Sequence, residues 1–136
     1  MKKVAKLALK DKGGNYLLLT LNNHPTFGNG HDLPGGTVDG DETALEAMVR
    51  EVREEVGVDI SSHDIEQVYS GTEYSRHGTR YTLFTAMVSE RPLIALSWEH
   101  TSYQWVERDE FLDAAKNAKD TFMHMVHDVL SQNVSL

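Results

Sequence analysis

The sequence predicts a single α/β domain built on a mixed β-sheet, and three observations point to it. The elements run strands, helix, strands, helices, an order that lays helices against the faces of a sheet. The 136 residues are one domain's worth, and 40% hydrophobic with 25% charged residues is an ordinary globular balance. No internal repeat, linker or low-complexity stretch divides residues 1–136. Cysteine is absent, so disulfides, thiolate zinc sites and thiol nucleophiles are excluded.

Val4 to Leu9 alternates with period two, Val4 and Ala8 flanking lysines, and reads as a strand. Asp11-Lys12-Gly13-Gly14-Asn15 is a turn cluster, and the apolar run Tyr16 to Leu21 is a buried strand, so the first pair reads as a hairpin. Asn22 to Asp32 is a long polar loop with Pro25, Gly28 and Gly30, and long ordered loops often carry function. Leu33-Pro34-Gly35-Gly36 closes it, and Thr37-Val38 reads as a short strand. Glu42 to Val56 reads as a helix with one apolar stripe of Leu45, Met48, Val49, Val52 and Val56. Asp39 and Asp41 both suit its N-cap, Asp39 with Glu42 having capping-box spacing, and Gly57 is the natural stop. Ile65 to Tyr74 and Arg80 to Val88 read as strands joined by a turn around His77-Gly78. Leu93 to Leu96 and Ser102 to Val106 are further strands, and Asp109 to Lys116 begins a short helix. Thr121 to Gln132 is an amphipathic helix with Phe122, Met125, Val126, Val129 and Leu130 on one side.

The formal net charge is −8, which argues against a general nucleic-acid-binding or anionic-membrane surface. Lys6 and Lys10 interrupt any apolar leader, and no stretch approaches the roughly 18 apolar residues of a membrane span. The expected location is cytoplasmic. The charge is uneven: residues 1–20 hold five lysines and one acid, whereas residues 39–55 hold seven acids against Arg50 and Arg53.

Glu51, Glu54 and Glu55 stand at i, i+3 and i+4 on the predicted helix, an arc of roughly 100° beside the apolar stripe. Crowded carboxylates repel unless a cation joins them or a proton neutralises one. A hard divalent cation such as Mg²⁺ favours carboxylate, water and phosphate oxygen. Pairing with Arg50, Arg53 or solvent is the plainer alternative.

The order of residues weighs against that alternative. From Gly36, five residues lead to Glu42, seven more to Arg50-Glu51-Val52, and one more to Glu54-Glu55, followed by Val56-Gly57-Val58. This resembles the signature box of the Nudix hydrolases at every specified position from Gly36 to Val58, and Leu33-Pro34-Gly35 resembles the family's usual lead-in. The resemblance implies an α/β/α sandwich with a mixed sheet, and a loop–helix–loop holding Mg²⁺ or Mn²⁺ against a diphosphate. By match to the box, Glu51, Glu54 and Glu55 would be the metal-binding and base-orienting carboxylates, with Glu51 and Glu55 the direct ligands. A backbone carbonyl of Gly35 or Gly36 would be a further ligand, glycine permitting close approach. Arg50 would orient a glutamate, and Glu42 would serve the helix start. The segment Ser97 to Val106 resembles the family's late loop and strand, which makes Glu99 the candidate for a further metal ligand or general base. Trp105 reads as core rather than base-stacking, Trp98 as either of the two, and His124 and His127 as surface.

Loops outside the box would choose the substrate. Phe27, His24 and His31 are candidates to stack on or hydrogen-bond a base, and Arg76 and Arg80 to touch phosphate. His31-Asp32 stands where many members carry an aromatic residue, a departure from the base-stacking, nucleotide-sanitising subgroup. The expected partner is a small nucleotide-type substrate, and the expected state a monomer or homodimer. The leading activity is Mg²⁺-dependent hydrolysis of a nucleoside diphosphate derivative, with a (d)NTP such as an oxidised purine nucleotide as the example. A dinucleoside polyphosphate, nucleotide sugar or capped RNA is the alternative. A non-catalytic nucleotide-binding module is a third, disfavoured because it would have no need of three mutually repelling glutamates. An isopentenyl diphosphate isomerase would normally need a cysteine.

Overall fold

The computed structural model describes residues 1–21 and 30–132. Alternation along the first two strands decides which helices cover which face of the sheet. In β1 (Lys3–Asp11) Ala5, Leu7 and Leu9 face one core, and in β2 (Tyr16–Leu21) Leu17 and Leu19 join them. Ala8, Tyr16 and Leu18 face the other. Helix α1 (Ala44–Val56) covers the first face through Met48, Val52 and Val56. Helices α2 (Arg108–Asn117) and α3 (Thr121–Gln132) cover the second through Phe111, Ala115, Phe122, Met123, Met125, Val126 and Leu130. The result is an α/β/α sandwich.

The sheet also contains β3 (His31–Asp32), β4 (Gly35–Thr37), β5 (Ile65–Gly71), β6 (Arg80–Val88) and β7 (His100–Val106). The backbone order is β3-β2-β1-β6-β5, with β4 added to β1 and β7 to β2. Strands β1 and β6 run parallel from Lys3↔Arg80 to Asp11↔Val88, and the other pairs are antiparallel, so the sheet is mixed. The hairpin of β1 and β2 pairs at Lys10↔Tyr16 and then splays. This leaves the start of β1 to pair with Gly35, Gly36 and Thr37.

Four expectations are corrected. Helix α1 starts at Ala44, with Thr43 as N-cap instead of Asp39 or Asp41. The Thr43 Oγ1 accepts from the Glu46 N–H at 3.1 Å, and Glu46 Oε1 accepts from the Thr43 N–H at 2.9 Å. Glu42 does accept from the Asp39 N–H at 2.9 Å, but that contact closes the turn before the helix. Leu45 is 44% exposed, while Ala47 and Glu55 are buried, so the inward face lies toward Glu55. Leu93 to Leu96 form no strand, because the Ala95 and Ser97 N–H groups bond the Val56 and Glu55 carbonyls at 2.8 and 2.9 Å. The chain there satisfies the end of α1 instead of a sheet edge. Strand β5 ends at Gly71, short of Tyr74. Gly57 closes α1 in the left-handed region (φ 73°), as its position predicts. Among the described residues no helix is long and apolar enough to cross a membrane.

Candidate active site

Pairing of β4 with β1 brings the two glycines under the last turns of α1. At Gly35 φ is +142°, and an added Cβ would collide with the Ala5 carbonyl and the Lys6 backbone. Only glycine fits there. The Gly35 N–H donates to Glu55 Oε1 at 2.7 Å. At Gly36 an added Cβ would lie 2.7 Å from the Glu51 carboxyl carbon. The absent side chain is therefore what lets Glu51 lie on the backbone.

Glu55 is 5% exposed, and its carboxyl is pushed up to about 8. Burial is the main cause, and the charges of Asp32 and Glu99 add to it, against the Gly35 hydrogen bond and Lys6. Burial also raises Glu51, despite its hydrogen bond from Arg50. Arg50 is a hub: it donates to Glu42 at 2.7 Å, Glu51 at 2.9 Å, Glu54 at 3.2 Å and the Thr37 carbonyl at 3.2 Å. Its hydrogen bond, with that of the Asp39 N–H, holds Glu42 down at about 2. Glu54 is 57% exposed and turns toward Arg50.

Glu99 lies in the turn before β7. The Ser97 N–H bonds the Glu55 carbonyl, and the His100 N–H bonds the Ser97 carbonyl at 3.3 Å, so this turn is tied to the end of α1. The Glu99 charge is felt by both Glu51 and Glu55. Among the described residues no three His, Asp or Glu side chains close into a ready metal cage. The donor set nevertheless fits a hard cation. Glu51, Glu55 and Glu99 offer carboxylate oxygen, Gly35 and Gly36 offer carbonyls, and burial, with the neighbouring acids, makes the charged forms of Glu51 and Glu55 costly until a cation joins them. Mg²⁺ is commonly held by one or two carboxylates, with water and phosphate completing its shell, which suits an open set.

A cavity of about 610 Å³ joins Glu55, Glu99, Gly35 and Gly36 to Lys2, Lys6, Arg76 and Lys119, with Asp32, Asp120, Tyr81 and Phe122 also in its wall. Arg76 therefore faces the same space as Glu55. Arg80 does not, since its guanidinium bonds Ser70 Oγ at 3.3 Å. His31 lines a second cavity of about 620 Å³ with Gln104 and Asn117. Phe27 and His24 lie outside the described residues. His124 bonds the Ala118 carbonyl and His127 pairs with Asp128. Trp105 packs on the α1-side core, and Trp98 is exposed.

Sequence reasoning passed over a buried polar chain. Lys6 Nζ sits 2.5 Å from Asp32 Oδ1, and His100 Nε2 is 3.3 Å from Asp32 Oδ2. Burial opposes the charge of Asp32, but Lys6 and the hydrogen bonds from His100 and Lys6 outweigh it and hold the carboxyl below its usual range. A signal existed: Lys6 has the strand parity of Val4 and Ala8, so it lies on a core-facing row.

The sequence model of the NUDIX domain family matches residues 2–126, and the protein belongs to that family. A MutT protein from Methanosarcina mazei Go1 is 24% identical with a TM-score of 0.68, over 98% of this chain and 95% of that one. The E. coli dihydroneopterin triphosphate pyrophosphohydrolase is 20% identical with a TM-score of 0.72, over 97% and 94%. A C. elegans Ap4A hydrolase is 22% identical with a TM-score of 0.67, over 97% and 99%. At these identities the likeness is one of fold. No curated protein sequence matches the chain significantly.

Proposed function

We propose that this Nudix protein is a pyrophosphohydrolase that splits a diphosphate linkage in a nucleoside diphosphate derivative with the help of Mg²⁺ or Mn²⁺. The observation that carries the reading is the cavity in which buried Glu55 and the Glu99 turn meet Lys6, Arg76 and Lys119. Carboxylates and cations in one wall suit a polyanion held partly by the protein and partly by a metal. The cation, when bound, would neutralise phosphate oxygens and acidify water. Glu51 and Glu55 would hold it with the Gly36 carbonyl. Arg50 keeps Glu51 and Glu54 aligned, and Glu54 or Glu99 takes the proton of the attacking water. Arg76 and Lys119 would contact phosphate remote from the metal.

The preferred substrate is a nucleoside triphosphate, an oxidised purine nucleotide being one example. The solved relatives include one named for a triphosphate and one named for Ap4A. A substrate panel with Mg²⁺ tests the reading. Pyrophosphate plus a nucleoside monophosphate supports the triphosphate reading, and two nucleotide products support a dinucleoside polyphosphate. No turnover across nucleoside triphosphates, dinucleoside polyphosphates, nucleotide sugars and capped RNA overturns the enzyme reading. With an active substrate, Glu54→Gln and Glu55→Gln each remove nearly all Mg²⁺-dependent hydrolysis while far-ultraviolet circular dichroism stays native. Full activity in both would reject these residues.

A further inference from the structure

The imidazole of His100 lines neither the site cavity nor its neighbour, and its side chain is 1% exposed. Its Nε2 donates to Asp32 Oδ2, and its Nδ1 meets no hydrogen-bond partner among the described residues. A buried ring with one nitrogen unpaired adds little stability over an apolar side chain of the same size, and a buried ion pair such as Lys6–Asp32 is a weak source of stability. What the chain of contacts does supply is placement.

Asp32 immediately precedes Leu33-Pro34-Gly35-Gly36, whose Gly35 N–H holds Glu55. His100 immediately follows Glu99. Strand β2 pairs with both β3 and β7, so the side-chain bond joins two strands that share β2 as neighbour. The β2–β7 ladder shifts register between Thr20 and Leu21, where Leu21 opposes His100. Backbone pairing alone is therefore irregular at the residue that fixes where Glu99 begins its reach. The turn has a second tether, the Ser97 N–H on the Glu55 carbonyl.

We infer that His100, acting through Asp32, is a positioning residue that sets the Glu99 carboxylate against Gly35, Gly36 and Glu55. This rests on the reading of Glu99 as a working group of a hydrolase.

The test is a double-mutant cycle on the full chain with the active substrate and Mg²⁺. In His100→Gln the amide nitrogen takes the place of Nε2, whereas Asn is too short to reach Asp32. His100→Asn lowers kcat by roughly tenfold to a hundredfold with KM changed by less than about threefold. His100→Gln restores most of the rate. Glu99→Gln lowers kcat at least as far, and Glu99→Gln/His100→Asn is no slower than Glu99→Gln alone. Hydrogen exchange at the 97–101 amides is faster in His100→Asn than in wild type. If His100→Asn melts below the assay temperature, His100→Met fills the space without a polar group and replaces it in the cycle. A folded variant with wild-type kcat, or multiplicative losses in the double variant, overturns the inference. A fully active Glu99→Gln overturns it too, while the loss in Glu55→Gln would leave the hydrolase reading standing.

Discussion

Glu55 is asked to be buried and to be charged, and in the metal-free protein those demands conflict. Its carboxyl rises from the ordinary 4.5 to about 8, with burial as the leading cause. An acid raised in the folded state binds a proton there that the unfolded chain has already lost. Stability therefore falls as pH rises from about 4.5 and levels off above about 8. The full cost is on the order of a few kcal/mol. Glu55→Gln keeps an acceptor for the Gly35 N–H and removes the charge. At pH 8 with chelator present, thermal unfolding of Glu55→Gln should occur at a higher temperature than wild type, and at pH 4 the two should converge. A variant that melts lower than wild type at both values would show that the carboxyl is not strained by burial. Gain of stability with loss of activity is the expected mark of a residue held for function.

At the scale of elements, β4 and α1 form the site as a unit, and its two glycines are needed for different reasons. Gly35→Ala meets backbone on β1 and takes a positive φ, so it should cost roughly 1–3 kcal/mol in denaturant unfolding. Gly36→Ala meets only the movable end of Glu51, so stability should stay within about 1 kcal/mol while hydrolysis falls. Equal effects on stability would contradict the distinction. Thr43→Ala should cost about 1 kcal/mol by removing the cap of α1, with little change in KM. These elements also show what was legible in advance. Tyr16–Leu21, Arg80–Val88 and Thr121–Gln132 have the bounds their local patterns predict, because apolar periodicity and flanking turns agree there. The start of α1 was ambiguous because Asp39-x-x-Glu42 and Thr43-x-x-Glu46 both have capping-box spacing, and both contacts form. Leu93 to Leu96 reads as a strand from its apolar run, but the Ala95 and Ser97 N–H groups serve a helix end. The box from Gly36 to Val58 was readable as a string. The Lys6–Asp32–His100 chain was not, since its members are 26 and 68 residues apart and only strand pairing brings them together.

The whole molecule carries a net charge of −8, with seven acids on the segment of residues 39–55, and a cation held there as proposed would tie global stability to its binding. The folded chain gathers Glu51, Glu55 and Glu99 near one turn, whereas the unfolded chain separates Glu99 from the helix residues. A divalent ion that binds the fold must raise its melting temperature. At a free concentration of about 100 Kd the gain is about 2.7 kcal/mol, which for a domain of this size is roughly 10 °C. Simple screening of the net charge would give part of the same sign, so the control is KCl at matched ionic strength. Seating a cation on Glu55 displaces the proton held up to about 8, so the gain from a fixed Mg²⁺ concentration should be smaller at pH 6 than at pH 9. Screening also grows over that window, because the chain becomes more negative as Glu55 loses its proton, so the quantity compared is the Mg²⁺ shift in excess of the matched KCl shift at each pH. Differential scanning calorimetry at both pH values, with MgCl₂, MnCl₂ and matched KCl, separates them. Equal shifts from KCl and MgCl₂ would mean that the acidic segment confers solubility alone.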